Sequence, residues 1–472
     1  MVCVATAMLM LDIAVVNTAL SDIADDLDTG LGGLQWVVDS YTLALAAVVL
    51  TAGSLADRFG RRRLFAAGLG VFTLASAACA AAGSIEFLNI ARAVQGLGAA
   101  AMFAVSLALL ANAFPQAKER AGALAAYGAT IGAAFAVGPA VGGALTSGLG
   151  WRWIFIVNIP LGLATLAITG MRVAESRDPS ARRVDLPGLV TLTGGLFLLT
   201  LALLRGNEQG WGSAAIVAEL VGAAALLAGF VAVEHRSREP MLPLGLFRNP
   251  SFTGAQVGAF AISATFFAVF LYTTIYLQQV LGLSPIEAGL VYLPGTTIMF
   301  VVSGATASLG EKVSARAMIG AGLALVAGGL ALMTLAGPDS SWTAVLPGSI
   351  VAMIGTGLFN PAVSAVALGS APPQQSGLAA GVNDTFRQAG IAVGVAALGA
   401  LIPAGAAFGG GDATSYVSGM HDALWVGAAV VLAGAIAAWL LIRDNYAADL
   451  EEAEPAPAAA LASARPALAE AA

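Results

Sequence analysis

The chain has 472 residues, 58% of them hydrophobic and only 10% charged, with a formal net charge of −7 and a mean hydropathy of +0.85. An ordinary soluble chain carries about a quarter charged residues, so this one cannot cover itself with polar surface and its solvent is expected to be the lipid bilayer. The acidic balance argues against nucleic acid as a partner. The two cysteines, Cys3 and Cys79, lie in apolar runs, which argues against a disulfide framework.

Crossing about 30 Å of hydrocarbon takes about 20 apolar residues in a helix. Fourteen such runs occur, at 2–20, 36–56, 64–83, 88–112, 122–147, 152–171, 185–205, 213–233, 252–278, 285–309, 316–336, 343–366, 377–402 and 422–442. None shows the period-two alternation of a membrane barrel strand. The first run lacks a basic leader region, contains Asp12 and precedes thirteen more, so it reads as a true helix rather than a cleaved signal. It begins at Met1 without a flanking tail, as it would if the natural start lay upstream.

Lysine and arginine collect on the cytoplasmic side. The breaks after runs 2, 4, 6, 8 and 10 hold Arg58, Arg61, Arg62 and Arg63; Lys118 and Arg120; Arg172, Arg177, Arg182 and Arg183; Arg236, Arg238 and Arg248; and Lys312 and Arg316. The alternate breaks hold only Arg152 and Arg205, and the first of them carries Asp22, Asp25, Asp26 and Asp28. Both termini are therefore expected in the cytoplasm. After residue 443 the chain turns into an Ala/Glu/Pro-rich stretch expected to be a disordered tail.

The short loops leave no room for a soluble domain. There is no G-x-x-x-x-G-K-[ST] phosphate cradle, and Lys118 and Lys312 are the chain's two lysines, which excludes ATP hydrolysis within the chain. His235 and His421 are too few and too far apart for a metal site, and no cofactor is expected. "SGATASLGEKVSARAMIGAG" around Gly304 loosely echoes "AGSLADRFGRRRLFAAGLG" around Gly53. With runs 7 and 8 treated as an insertion, both stretches follow the second run of a set of six. The expected fold is an all-α polytopic membrane protein with 14 transmembrane helices, arranged as two six-helix bundles plus two inserted helices. The first bundle would span residues 1–172, the inserted pair with its cytoplasmic linkers 173–251, the second bundle 252–442 and the tail 443–472. Two related bundles let a central site alternate between two sides.

Four motifs carry chemistry. In "GSLADRFGRRR", Gly53 and Gly60 would allow close helix approach and a tight turn. Asp57 there could pair with an arginine and with a helix N-terminus of the other bundle, beside Arg58 and Arg61. In "ARAVQGLGAA", Arg92 and Gln95 lie three apart on one helix face, and an arginine inside the membrane should face the bundle interior and find a carboxylate. In "GATIGAAFAVGPAVGG", Gly128 with Gly132, and Gly138 with Gly142, make small-residue faces for tight packing, Gly143 follows, and Pro139 should kink the helix. In "LDIAVVNTAL", Asp12 and Asn17 interrupt an apolar helix.

With these motifs the whole chain resembles the fourteen-helix drug:proton antiporter branch of the major facilitator superfamily. "WRWIFIVNIPLG" at 151–162 and "NDTFRQAGIAVG" at 383–394 are similar to the same branch. The resemblance implies that the Gly53–Arg63 stretch gates the cytoplasmic side, that Arg92 takes part in proton coupling, and that the 128–143 motif marks exporters. It further implies that Arg387 and Gln388 face the cavity.

The proton-coupling candidates are Asp12, Asp39, Arg92 and Asp384. By rise per residue, Asp12 and Asp39 lie at about 12 Å and 5 Å from the outer surface and bracket Arg92 at about 7 Å. One arginine facing two acids leaves a negative excess, as a proton-coupled site requires. Asp39 reads equally as a residue of the outer vestibule, and Asp384 with Arg387 reads also as a local i,i+3 ion pair. Glu219 is expected as a snorkelling or helix-contact residue and Glu287 as a first-turn acid. Candidates for the substrate cavity are Asn17, Gln95, Phe266, Tyr272, Tyr276, Asn360, Arg387 and Gln388, although aromatic stripes such as Phe266, Phe267, Tyr272 and Tyr276 also serve ordinary packing.

The expected function is proton-coupled efflux of lipophilic drugs or antibiotics by alternating access, with protons and a small lipophilic molecule as partners. The Ala/Gly/Leu-rich composition points to a bacterial plasma membrane. Because one chain holds both bundles, a monomer would suffice. The nearest alternative is a same-fold transporter of an amino acid, sugar or siderophore. A polytopic membrane enzyme or a sensor would show acidic or histidine clusters in large loops, or an extra soluble domain.

Overall fold

The structure is a computed structural model and describes residues 1–114, 116–177, 185–310, 312–372, 375–403, 405–406 and 412–444. The expected tail and the loop arginines Arg182 and Arg183 lie outside or almost wholly outside these residues.

Fourteen long helical spans follow one another, with no strand among the described residues. They are α1 (Val2–Asp26), α2 (Leu31–Phe59), α3 (Arg61–Ala80), α4 (Ile85–Ala113), α5 (Ala117–Leu149) and α6 (Trp153–Arg172); α7 (Leu186–Gln209) and α8 (Ala214–Arg236); then α9 (Pro250–Ile275), α10 (Pro285–Leu309), α11 (Ala315–Met333), α12 (Leu346–Gly369), α13 (Ser376–Gly399) and α14 (Ala413–Leu441). Thirteen of them are long and apolar enough to cross a membrane. The exception is α13, which has 24 residues but carries Asn383, Asp384, Arg387 and Gln388. It can hold them because it packs between α9, α2 and α7 rather than against lipid.

The starts of the helices are written in the sequence. Ser84, Ser213 and Ser314 accept a backbone N–H three residues on, and Asn249 and Asp412 cap α9 and α14. Ser284 and Glu287 form a reciprocal capping box at the start of α10, which places Glu287 in its first turn. Several helices, among them α1, α2, α4 and α5, run beyond their apolar runs, because hydropathy marks the hydrocarbon crossing and polar turns continue the helix outside it, whereas α3, α11 and α13 stop about three residues short of theirs. The α1–α2 connection therefore shrinks to residues 27–30.

Packing repeats with an offset of eight helices. In the first half α1 packs on α5, α2 and α3 both pack on α4, and α3 packs on α6. In the second half α9 packs on α13, α10 and α11 both pack on α12, and α11 packs on α14. Two seams join these bundles, α5 against α10 and α2 against α13. The inserted pair α7–α8 packs on itself, and α7 lies over the second seam against α2 and α13. All helices start or finish either at the end carrying the arginine-rich loops, here called the basic end, or at the opposite end.

Candidate functional site

Inside the first bundle, Asp12 of α1, Arg92 and Gln95 of α4 and Asn158 of α6 meet. Arg92 Nη1 donates to Asp12 Oδ2 at 2.5 Å and to Gln95 Oε1 at 2.6 Å, and Nε donates to the Val37 carbonyl at 3.0 Å. Gln95 Nε2 donates to Asp12 Oδ1 at 2.8 Å and to Ser76 Oγ at 2.9 Å. Asn158 Nδ2 donates to Asp12 Oδ1 at 3.2 Å. The guanidinium carbon also lies 4.3 Å from the centre of the Tyr41 ring and 5.8 Å from that of Phe155. Arg92 is 2% exposed and Asp12 1%. An ion pair this deep persists only because each charge is compensated and the remaining polar atoms find partners. Ser76, Tyr41 and Asn158 were not singled out in the sequence; Asn158 stands inside the 151–162 motif, whereas Ser76 and Tyr41 carry no signal that marks them.

Asp39 of α2 differs. It is 0% exposed, and neither carboxyl oxygen has a hydrogen-bond partner. Because α2 begins at Leu31, Asp39 lies about 12 Å below the opposite end rather than about 5 Å, and Asp12 lies about 21 Å below it. Asp39 is thus an interior residue and not part of an open vestibule. A bare charge there is expensive, so the group's charge state changes the energy of whatever surrounds it. Asp39 stands one turn after Gln35, on the side of α2 from which Gln35 reaches the Val395 carbonyl of α13. One turn away Gln35 Nε2 donates to Tyr272 Oη at 2.7 Å, Tyr272 Oη donates to the Val395 carbonyl, and Asp39 lies within electrostatic reach of the same phenol.

Among the described residues, several hydrogen bonds between the bundles lie at mid-height or toward the opposite end. Besides Gln35–Tyr272, Gln278 Nε2 donates to the Thr18 carbonyl at 2.9 Å, Ile286 N to Ser147 Oγ at 3.1 Å and Thr296 Oγ1 to the Ala136 carbonyl at 2.8 Å. Phe135 of α5 packs on Phe266 and Phe267 of α9 at centroid distances of 6.0 and 5.8 Å. The glycine motif makes these approaches possible. A methyl on Gly138 would lie 2.4 Å from Ala14 Cβ, one on Gly142 2.7 Å from Val15 Cα, and one on Gly143 2.4 Å from the Pro285 carbonyl. Reciprocally, one on Gly289 would lie 2.3 Å from the Pro139 carbonyl. Gly132 faces the Phe300 ring, while Gly128 faces open space, so the small-residue contact expected there is not made. Pro139 sits inside a continuous α5.

At the basic end, Asp57 accepts from Arg61 Nε at 2.9 Å and Nη2 at 2.7 Å, one turn away, and has no hydrogen bond to the other bundle among the described residues. Gly60 makes the turn with φ +112°, a conformation that favours glycine, while Gly53 faces open space instead of a neighbouring helix. Glu175 accepts from the Arg62 backbone N–H at 3.0 Å and lies within 4 Å of Arg62 and Arg63, tying this loop to the segment after α6. The Arg58 guanidinium lies over Phe59.

Several cavity candidates are committed elsewhere. Asn17 donates to the Ile13 carbonyl of its own helix, Gln95 belongs to the ion-pair network, and Tyr276 donates to the Gly337 carbonyl at 2.7 Å. Buried polar groups take partners where they can, and these are the partners the three side chains have in this conformation. Asn360 Oδ1 and Gln388 Oε1 are buried without a partner. Asp384 and Arg387 are not in direct ion-pair contact among the described residues but lie within electrostatic reach of each other, and Asp384 also of Tyr127 of α5. Glu219 pairs with Arg205 across the α7–α8 hairpin.

Two helical bundles that share one packing pattern, joined along two seams and with a buried ion pair inside the first, have the architecture of a polytopic membrane transporter. The chain belongs to the Major Facilitator Superfamily, whose pattern it matches over residues 2–395. It is 40% identical over 400 residues to multidrug resistance protein Stp of Mycobacterium tuberculosis (strain CDC 1551 / Oshkosh), covering 84% of this chain and 74% of that protein. It is 36% identical over 440 residues to the methylenomycin A resistance protein of Streptomyces coelicolor, covering 92% and 90%. Among solved structures it resembles the inward-open xylose transporter XylE of E. coli, with TM-score 0.62 and 13% identity over 94% of this chain and 95% of that one. It also resembles the peptide transporter POT, with TM-score 0.66 and 15% identity over 93% and 95%. The structural likeness concerns the fold alone.

Proposed function

We propose that the protein exports lipophilic drugs or antibiotics from the bacterial cytoplasm in exchange for protons, with the basic end in the cytoplasm. The observation that carries this reading is the contrast between two buried acids. Asp12 is compensated by Arg92, Gln95 and Asn158, whereas Asp39 has no partner and lies beside the α2–α13 seam. The names of the relatives, which speak of resistance and export, supply the direction and the substrate class.

The cycle follows from charge. A proton on Asp39 removes an uncompensated charge next to the Gln35–Tyr272–Val395 contacts, and its departure restores that charge and strains the seam. A lipophilic cation in the interior offers the acids an alternative partner, so cation and proton compete. Opening toward the outside breaks the contacts of Gln35, Gln278 and Ser147. Opening toward the cytoplasm separates the basic ends; when they close again, Asp57 can exchange Arg61 for a partner on the other bundle.

Inverted membrane vesicles energised by a pH gradient test this, with tetraphenylphosphonium, ethidium and a panel of neutral antibiotics as probes. Gradient-dependent accumulation by wild type and its loss in Asp39→Asn, whose carboxyl has no hydrogen-bond partner to lose, is the expected result. If wild type moves nothing on the panel but moves an amino acid or a sugar, the drug-export reading fails while the superfamily assignment stands.

A further inference from the structure

The inserted hairpin α7–α8 has no counterpart in the eight-helix offset that relates the bundles, yet it does not stand apart in the lipid. One face of α7 runs the length of the α2–α13 seam. Leu192 and Leu196 are buried in the same apolar core as residues of α2 and α13, and Phe197 packs on Trp36 of α2 with centroids 5.8 Å apart. Toward the opposite end, Leu203, Leu204 and Asn207 border a narrow cleft together with Gln35 of α2 and Gly399 and Ala400 of α13. There Asn207 Nδ2 donates to the Ala400 carbonyl at 2.5 Å.

Asn207 is prepared for this contact. Trp211 Nε1 donates to Asn207 Oδ1 at 3.0 Å, which fixes the amide so that its nitrogen faces α13. The Trp211 ring fits only because residue 206 is glycine, where a methyl would lie 2.7 Å from the ring. The neighbouring Arg205 pairs with Glu219 and fastens α7 to α8 at the same level. The acceptor is a carbonyl just past the end of α13, where helices lack donors of their own.

We propose that the hairpin is a strap: α7 travels with α2 of the first bundle, and the Trp211–Asn207–Ala400 chain fastens it to the second bundle whenever the opposite end is closed. Asn207 is therefore a positioning residue for alternating access, and the strap makes the two seams unequal. The α2–α13 seam is bound over by α7, whereas the α5–α10 seam has no such cover among the described helices. The inference uses alternating access but not the identity of the substrate.

Spin-label distances between Asp28→Cys and Asp339→Cys, both exposed at the opposite end on different bundles, read it directly in a Cys3→Ser background of the full chain in nanodiscs. Asn207→Leu removes both the bond across to Ala400 and the one from Trp211, of which only the first joins the bundles, so the long-distance population should rise about two- to tenfold relative to wild type. Trp211→Phe, which keeps the ring but not the donor, should shift it in the same direction by less. In a separate reading, an Asn207→Cys/Ala400→Cys cross-link should hold the labels at the short distance until reductant is added. Wild-type distance distributions in Asn207→Leu, or a long-distance population that persists in the cross-linked protein, would overturn the strap. Because the readout is a distance, a wrong substrate class would leave these outcomes unchanged and would show only in the vesicle assay.

Discussion

At the scale of single residues, the two acids predict opposite behaviour. Asp12 is bound by three donors, so removing a partner leaves buried charge behind: Arg92→Met should destabilise the protein by about 3–5 kcal/mol, measured by thermal unfolding in detergent. Arg92→Lys keeps the charge but not the planar fork that serves Asp12, Gln95 and Val37 together, and its transport should fall at least about tenfold. Asp39 supports nothing by hydrogen bonding, so Asp39→Asn, which removes a bare buried charge, should be no less stable than wild type while proton-coupled transport is lost. Equal destabilisation by Asp39→Asn and Arg92→Met would contradict the division of roles. The Arg92–Asp12 encounter was legible in the sequence, because an intramembrane arginine needs a carboxylate and the chain has few. What was not legible is that Asn17 and Tyr276 spend their polar atoms on nearby carbonyls, since hydropathy and spacing do not say which atom a buried amide or phenol meets.

At the scale of elements, closure of the opposite end depends on backbones meeting where only hydrogen stands on Cα. A methyl on Gly399 would come within 1.7 Å of Gln35 Nε2 and 2.2 Å of Tyr272 Oη, and one on Gly289 meets the Pro139 carbonyl. Gly399→Ala and Gly289→Ala should therefore fold and insert but favour an open opposite end. Longer spin-label distances there and efflux reduced at least about tenfold are the expected readings, the energetic scale of a core overpacking. Gly128→Ala, which meets open space, should leave both unchanged in this conformation. The glycine motif was readable as tight packing, but not its division of labour: Gly138 and Gly142 seat α5 on α1, while Gly143 seats it on the other bundle. Gln35 and Glu175 were missed because each lies at a helix end or in a loop, where polar residues are ordinary and the sequence gives no reason to single one out.

At the scale of the whole molecule, the fold was largely legible because lipid leaves few choices. Backbone groups in hydrocarbon must be satisfied within helices, so counting apolar runs counts helices. The run least apolar in the structure, α13, betrays by that very fact that it lies at the centre. Many helix ends, those of α1, α2, α4 and α5 among them, shifted outward because helices do not stop where hydrocarbon does. The place of α7 over one seam was not legible, since an inserted pair has no partner in the repeat to predict its neighbours.

The central claim is that a buried acid exchanges its proton for the exported cation. The direct measurement is the proton released when tetraphenylphosphonium binds to purified protein in weakly buffered detergent solution, followed by a pH dye. Wild type should release up to about one proton per cation bound, and Asp39→Asn should bind the cation with little or no release. Binding by wild type without any release of protons would contradict the account.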